Sequence, residues 1–87
     1  MATLRTSVTQ RFKDLLGRRL FLDREPGVLL VWVEADQHDV ASLVPQVEAL
    51  HPGTRFAVQT SGAAVAVRMT ARDDELAAIE HLYVDTR

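Results

Sequence analysis

The histidines and the acidic residues beside them are the first side chains that metal or proton chemistry would need. His38 lies between Asp36 and Asp39, and imidazole and carboxylate groups at such short spacing are typical metal ligands. Asp36, however, directly precedes an apolar pattern of helical period, where an aspartate caps the first turn. His51 and His81 are isolated histidines. We therefore expect no metal site.

The sequence contains no arrangement that is typical of nucleophilic or acid–base catalysis. It has no cysteine, and its glycines are isolated, so neither a thiolate nor a glycine-rich phosphate loop is present. Ser61-Gly62 lies between two β-like segments and is typical of a hairpin turn rather than of a nucleophile elbow. Asp73, Asp74 and Glu75 suit the first turn of a helix. We expect a protein that is not an enzyme, with no catalytic residues and no cofactor.

Apolar residues at helical spacing predict three helices that would carry or flank these side chains. The first covers residues 3–16 and ends at Gly17. The second begins after Asp36 and runs to about residue 50, with a kink or a restart at Pro45. Thr70 would cap the third. The predicted apolar faces are Leu4, Val8, Phe12, Leu15 and Leu16; then Val40, Leu43, Val44, Val47 and Leu50; then Leu76, Ile79 and either Leu82 or Tyr83.

Four segments rich in alternating or β-branched residues predict strands. They cover residues 18–23, 28–35, 54–60 and 63–70. The first pair is joined by a turn at residues 24–27 and the second pair by Ser61-Gly62. A two-residue turn centred on Ser61-Gly62 would pair Val58 with Val65 and Phe56 with Val67.

A shift of 36 residues places the two predicted hairpins on one another without a gap. Val31, for example, then aligns with Val67. Applied to the first hairpin, the shift predicts Leu22 opposite Leu29 and Leu20 opposite Val31.

These elements predict one α+β domain over residues 1–87, because a chain of this length supports a single core. We expect the order α-ββ-α-ββ-α and a four-stranded antiparallel sheet with helices on one face. The alternative is a ferredoxin-like split βαβ unit over residues 28–82 that is preceded by an N-terminal helix.

The opposite face of the sheet is the candidate functional surface, because it has no cover of its own if all three helices pack on one face. The alternative is that the first helix, or a bent strand, covers this face. Its apolar residues would bind a protein partner or a second copy of the chain, with Trp32 as anchor. We expect Arg55 to face Arg68, with Glu34 between them. The candidate partner-binding residues are Phe21, Leu30, Trp32, Glu34, Arg55, Ala57, Ala64, Ala66 and Arg68, and Arg19 also falls on this face.

The function expected from this surface is a small protein–protein interaction module, homodimeric or part of a larger assembly, in the cytoplasm. The chain has a net charge of −2, so its surface as a whole is not suited to nucleic acid. The alternatives are a ligand- or nucleic-acid-binding regulatory domain that uses the same face, and a membrane-surface protein. The last would use the first helix, whose Arg5, Arg11 and Lys13 lie off its apolar stripe.

The predicted order of elements resembles two known families. It is similar to half of a LAGLIDADG homing endonuclease, but Leu15-Leu16-Gly17-Arg18 lacks the acidic residue of that family's signature, so this activity is not expected. It also resembles a shortened form of the small acidic secretion-chaperone fold. That resemblance implies a dimer that binds extended segments of other proteins.

Overall fold

The computed structural model describes residues 2–84, with side chains from Ser7 onwards. Leu4 and Arg5, assigned above to the first helix, therefore have side chains outside the described residues. The observed order is the predicted one, and a π-helical turn extends the last helix. The elements are α1 (Ala2–Gly17), β1 (Arg19–Glu25), β2 (Val28–Glu34), α2 (Gln37–Leu50), β3 (Arg55–Ser61), β4 (Ala64–Thr70), α3 (Asp73–Ile79) and the π-helical turn (Glu80–Val84).

The four strands form one antiparallel sheet in the order β1-β2-β4-β3, so the two hairpins meet through their second strands. This arrangement confirms the four-stranded prediction and rules out the ferredoxin-like alternative, which left the first strand out. Alternate residues of β2 and β4 have no more than 2% of their surface exposed. They pack with the apolar faces of α1, α2 and α3. The buried core residues are Val8, Phe12, Leu15, Leu16, Leu29, Val31, Val33, Val40, Leu43, Val44, Val47, Val65, Val67, Met69, Leu76, Ile79 and Tyr83.

The register of both hairpins differs from the prediction by two residues. Val58 pairs with Val67 rather than with Val65, and Phe56 pairs with Met69. The reason is that the second loop is Gly62-Ala63, one residue later than predicted, with Gly62 at φ +60°. Because the slip is an even number of residues, each side chain keeps its predicted face.

The internal repeat survives this correction. Leu22 pairs with Val31 rather than with Leu29, and the shift of 36 residues maps this pair onto Val58 and Val67. Val31 and Val67 also pair with each other across β2 and β4. The two hairpins are thus related by an approximate twofold axis, perpendicular to the sheet, that passes through this pair.

The start of β1 departs from the prediction because the strand carries a bulge between Arg19 and Phe21. Leu20, expected opposite Val31 on the buried face, is 59% exposed. Arg19, expected on the opposite face, donates instead from Nη1 to the carbonyl oxygen of Leu16 at 3.0 Å. The extra residue in the strand breaks the alternation at this point, so both assignments were wrong.

The helix boundaries show one confirmed cap and two corrections. Asp36 caps α2, and its Oδ1 accepts from the backbone N–H of His38 at 2.7 Å. α2 runs through the exposed Pro45 without a restart. Thr70 does not cap α3, which begins two residues later than predicted, after Arg72.

The first hairpin loop is fastened to the start of α3. Asp73 Oδ1 accepts from the backbone N–H of Gly27 at 2.8 Å, and the Gly27 carbonyl accepts from the N–H of Ala71 at 3.2 Å. Arg24 joins the same contact, with Nε 2.9 Å from Glu80 Oε1 and Nη1 3.3 Å from Asp73 Oδ1. These bonds hold the edge strand β1 against the last helix.

Asp73 makes the stability of the fold depend on pH. The backbone N–H of Gly27, followed by the Arg24 guanidinium, holds the pKa of Asp73 below its ordinary value of 3.8. A carboxyl whose folded pKa is lowered stabilises the fold above its unfolded pKa, and this contribution is lost as the pH falls through the folded pKa. Asp73→Asn should therefore lose less stability than the wild type between neutral pH and about pH 2 in urea unfolding.

The neighbouring substitution Asp74→Asn is the matched control. Asp74 is exposed and contacts Arg72 and the backbone of Glu75, not the hairpin loop. Equal acid sensitivity in the wild type and in Asp73→Asn would contradict a stabilising role for the ionised Asp73 carboxylate.

Candidate functional site

The candidate site is the sheet face that points away from the helices, called the open face below. No described element of the chain lies over it. The helices contact the other side of the sheet, where the core residues lie. Strand pairing arranges its side chains in four rows across the sheet. The rows are Glu25–Val28–Thr70–Arg55, then Asp23–Leu30–Arg68–Ala57, then Phe21–Trp32–Ala66–Gln59, and Glu34–Ala64–Ser61 beside the bulge.

All nine candidate partner-binding residues lie on this face, with different degrees of exposure, whereas Arg19 does not. Phe21 is 59% exposed, whereas Leu30 and Trp32 are half-buried by their neighbours in the sheet. Ala66 has no exposed surface, because it sits between its larger cross-strand neighbours Trp32 and Gln59. Of the remaining five, Ala64 is half-buried and the others, Glu34, Arg55, Ala57 and Arg68, are exposed.

The expected contact of Arg55 with Arg68 is absent. Arg55 pairs with Thr70, while Arg68 lies between Leu30 and Ala57. Glu34 pairs with Ala64 at the other end of β4 and does not separate the two arginines. The two-residue difference in the register of β3 and β4 accounts for the first correction, and the pairing of β2 with β4 accounts for the second.

The sequence prediction missed two acidic residues of the open face, Asp23 and Glu25. The first strand was predicted to end at residue 23, whereas β1 continues to Glu25. The signal was present in the alternation of Phe21, Asp23 and Glu25 and in the tight Pro26-Gly27 loop that follows. These acids line a shallow depression of about 120 Å³, together with Val28, Leu30, Gln59 and Arg68.

The two hairpins present different chemistry on the open face, although they share their core. The face of the β1–β2 hairpin carries the large apolar residues and three acids, Asp23, Glu25 and Glu34. The face of the β3–β4 hairpin carries small residues and two arginines, Arg55 and Arg68. Under the 36-residue shift, Phe21 corresponds to Ala57, Leu30 to Ala66 and Trp32 to Arg68.

The large apolar side chains of α1 that the structure describes are used in the core and not on the open face. Phe12 is fully buried, and its ring centroid lies 4.8 Å from that of Tyr83 and 6.1 Å from that of Phe56. Val8 and Leu16 are buried beside it. The described stripe that a membrane-surface helix would expose is therefore packed inside the protein. Among the described residues, no helix combines the length and the apolar character that a membrane crossing requires.

His51 and Tyr83 form the closest pair of groups suited to proton chemistry. His51 Nε2 lies 2.6 Å from Tyr83 Oη, and Tyr83 is 2% exposed. Burial raises the pKa of Tyr83, against the opposing effect of a hydrogen bond with the Thr9 side chain. A buried phenol that ionises less readily is suited to joining α1, α2 and the last turn, not to exchanging protons with a substrate. Within residues 7–84, no three His, Cys, Asp or Glu side chains are grouped to hold a metal ion.

Comparison with known proteins adds no family to this description. No family model matches the chain, and neither the curated proteins nor the solved structures searched contain a match. A functional interpretation therefore has to come from the open face itself.

Tyr83 gives a test of the core packing, because it is the only tyrosine in the chain. Its raised pKa means that folding favours the neutral phenol, so its contribution is fully present below the ordinary value of 10.0. That contribution is lost as the pH rises through the folded pKa. Ultraviolet titration of the phenolate should give an apparent pKa above 10.0 in the folded protein and a lower one in denaturant.

The variant Tyr83→Phe supplies the control in a second measurement, the stability of the fold at alkaline pH. Its free energy of unfolding should fall less than that of the wild type as the solution is made alkaline, since it has no phenol to ionise. A phenol that titrates identically in the folded and denatured protein would show that Tyr83 is not buried as described.

Proposed function

We propose that the protein is a small, non-enzymatic protein–protein interaction module that works through the open face. It would act as a homodimer or as one subunit of a larger assembly. The observation that carries the proposal is the position of Phe21, Leu30 and Trp32 together on a face that no described element covers. Contiguous exposed apolar surface on a small protein usually marks a contact site.

The energetic reason is that water contact with these rings is unfavourable. A phenylalanine side chain buries about 150–250 Å² when it is covered, and Phe21 has 59% of its surface exposed. At about 25 cal/mol per Å², covering Phe21 alone would contribute about 3 kcal/mol. Trp32 lies beside it in the same row and extends the apolar patch towards the centre of the sheet.

The other functions considered for this face are less well supported. Asp23, Glu25 and Glu34 lie on the same surface as the two arginines, and carboxylates beside Trp32 would repel a phosphate backbone. The depression of about 120 Å³ is smaller than the usual 300–1,000 Å³ of a small-molecule pocket. A protein surface, with apolar and charged groups of its own, is the better complement.

We place the module in the cytoplasm as part of this proposal. The chain contains no cysteine, so it cannot form the disulfides that stabilise many proteins of oxidising compartments.

The test is the oligomeric state measured by analytical ultracentrifugation over a range of concentrations. Wild-type protein should form dimers at micromolar concentration, while Trp32→Asp and Phe21→Asp should sediment as monomers. A carboxylate on the open face would be exposed in the monomer but desolvated in the dimer, which is why only the association should suffer. Because Phe21 is already exposed in the single chain, Phe21→Asp should leave the circular dichroism spectrum unchanged.

Leu82→Asp is the matched control for this experiment. Leu82 is also a large apolar residue with considerable exposure, 40%, but it lies in the π-helical turn on the helical side of the protein. This variant should dimerise as the wild type does. Dimers of unchanged affinity in both open-face variants would contradict the proposal, and a monomeric wild type would exclude its homodimeric form.

A further inference from the structure

We infer that the open face binds a second copy of the same chain, about a twofold axis that runs parallel to the strands between β2 and β4. This inference rests on the proposed function and specifies its partner and its geometry. It comes from the way in which the two hairpins differ on that face: one is bulky and acidic, and the other is small and basic.

The symmetry fixes which residues meet. Rotation about an axis parallel to the strands exchanges the left and right sides of the sheet and keeps each row at its own height. β1 then faces the partner's β3, and β2 faces the partner's β4. The large side chains of one hairpin therefore meet the small side chains of the other, twice in each dimer.

Large side chains face smaller ones in the Phe21–Trp32–Ala66–Gln59 row. Trp32 faces the partner's Ala66, the smallest side chain of the row, which its own cross-strand neighbours Trp32 and Gln59 already cover. Phe21 faces the partner's Gln59, next to the small residue Ala57 of the neighbouring row. The symmetry also brings Trp32 beside the partner's Trp32 across the axis, so that the two indoles form the centre of the interface.

The charges are complementary in the two rows that follow. Glu25 faces the partner's Arg55. The partner's Arg68 faces Leu30, and Asp23 lies beside Leu30 on the neighbouring strand β1. Within the described residues, the ion pairs use Arg24 and Arg72 and involve none of these four charged side chains. Their charges are therefore available to a partner. Two twisted sheets packed face to face cross at about 30°, and long side chains such as these can span the resulting offset.

The other face-to-face arrangement lacks this complementarity. A twofold axis that crosses the strands would place each hairpin on its own copy. Because this rotation also reverses the order of the rows, Asp23 would face the partner's Phe21, and Arg68 would face the partner's Ala66. No acid would then lie opposite an arginine, and the alanine-rich halves would meet without a large side chain between them. A charge buried without an opposite partner is unfavourable, and so is a poorly filled contact.

Exchange of one charged pair tests the arrangement. Glu25 and Arg55 lie at opposite ends of one row, three strand spacings or about 14 Å apart. This distance exceeds the screening length of about 8–10 Å at physiological salt, so the two side chains do not interact within one chain. Any coupling between them must therefore pass through a second copy.

Glu25→Arg and Arg55→Glu should each weaken the homodimer, by about ten- to a hundredfold in dissociation constant, because each change places two pairs of like charges in contact. The double variant Glu25→Arg/Arg55→Glu should dimerise like the wild type. An equimolar mixture of the two single variants should form heterodimers, since both charge pairs are then restored. Ultracentrifugation and native mass spectrometry measure these affinities and the composition of the dimers.

Asp14→Arg serves as the control for charge alone. Asp14 is exposed on α1, on the other side of the sheet, so the same charge reversal there should leave the dimer intact. Single variants that dimerise as tightly as the wild type, or a double variant as weak as either single one, would overturn the arrangement. If Trp32→Asp still dissociates the dimer in that case, the open face remains the interface and only its geometry is wrong. A monomeric wild type would overturn this inference and the homodimeric form of the proposed function.

Discussion

Val31 and Val67 pair at the centre of the sheet, and neither side chain has any exposed surface. Their position obliges every second residue of the two central strands to point into the core, since side chains alternate along a strand. The remaining residues, among them Leu30 and Trp32, must then point to the other side. An 87-residue chain with three helices on one face has no further element described for the second face. The apolar open face is thus a direct consequence of how the core is built.

The same pair of valines explains why side chains rather than backbone would decide how two copies meet. An approximate twofold axis perpendicular to the sheet passes through Val31 and Val67 and relates the two hairpins. This approximate axis lies within each copy. Because of it, a dimer whose twofold axis runs along the strands and a dimer whose axis runs across them would have nearly the same backbone arrangement. They differ only in which hairpin faces which. Residues such as Trp32 and Arg68, which are equivalent under the repeat but opposite in chemistry, are therefore the features that select one arrangement.

The faces of the sheet could be predicted from the sequence, but the register of its strands could not. Alternation fixed the side on which Trp32 lies, and an error of two residues in the register leaves that assignment intact. Ser61-Gly62 and Gly62-Ala63 are both acceptable two-residue loops, and local sequence does not choose between them. The bulge that exposes Leu20 occurs beside a hydrogen bond from Arg19 to the carbonyl oxygen of Leu16, and strand alternation predicts neither feature. Asp73 was expected only to favour the helix dipole, whereas it also holds a loop 46 residues away in sequence.

The edges of the sheet give a further reason to regard the face as the place of association. β1 and β3 are the outer strands, and unpaired edges can join sheets of neighbouring molecules. β1 carries a bulge at its start and the charged run Asp23, Arg24 and Glu25 at its end, while β3 begins with Arg55. Bulges and charges are the features that keep edges apart in natural sheets. The β1 edge in particular is thus protected against strand addition, whereas Phe21 and Trp32 on the open face have no such protection, which supports the proposed contact between faces over contact between edges.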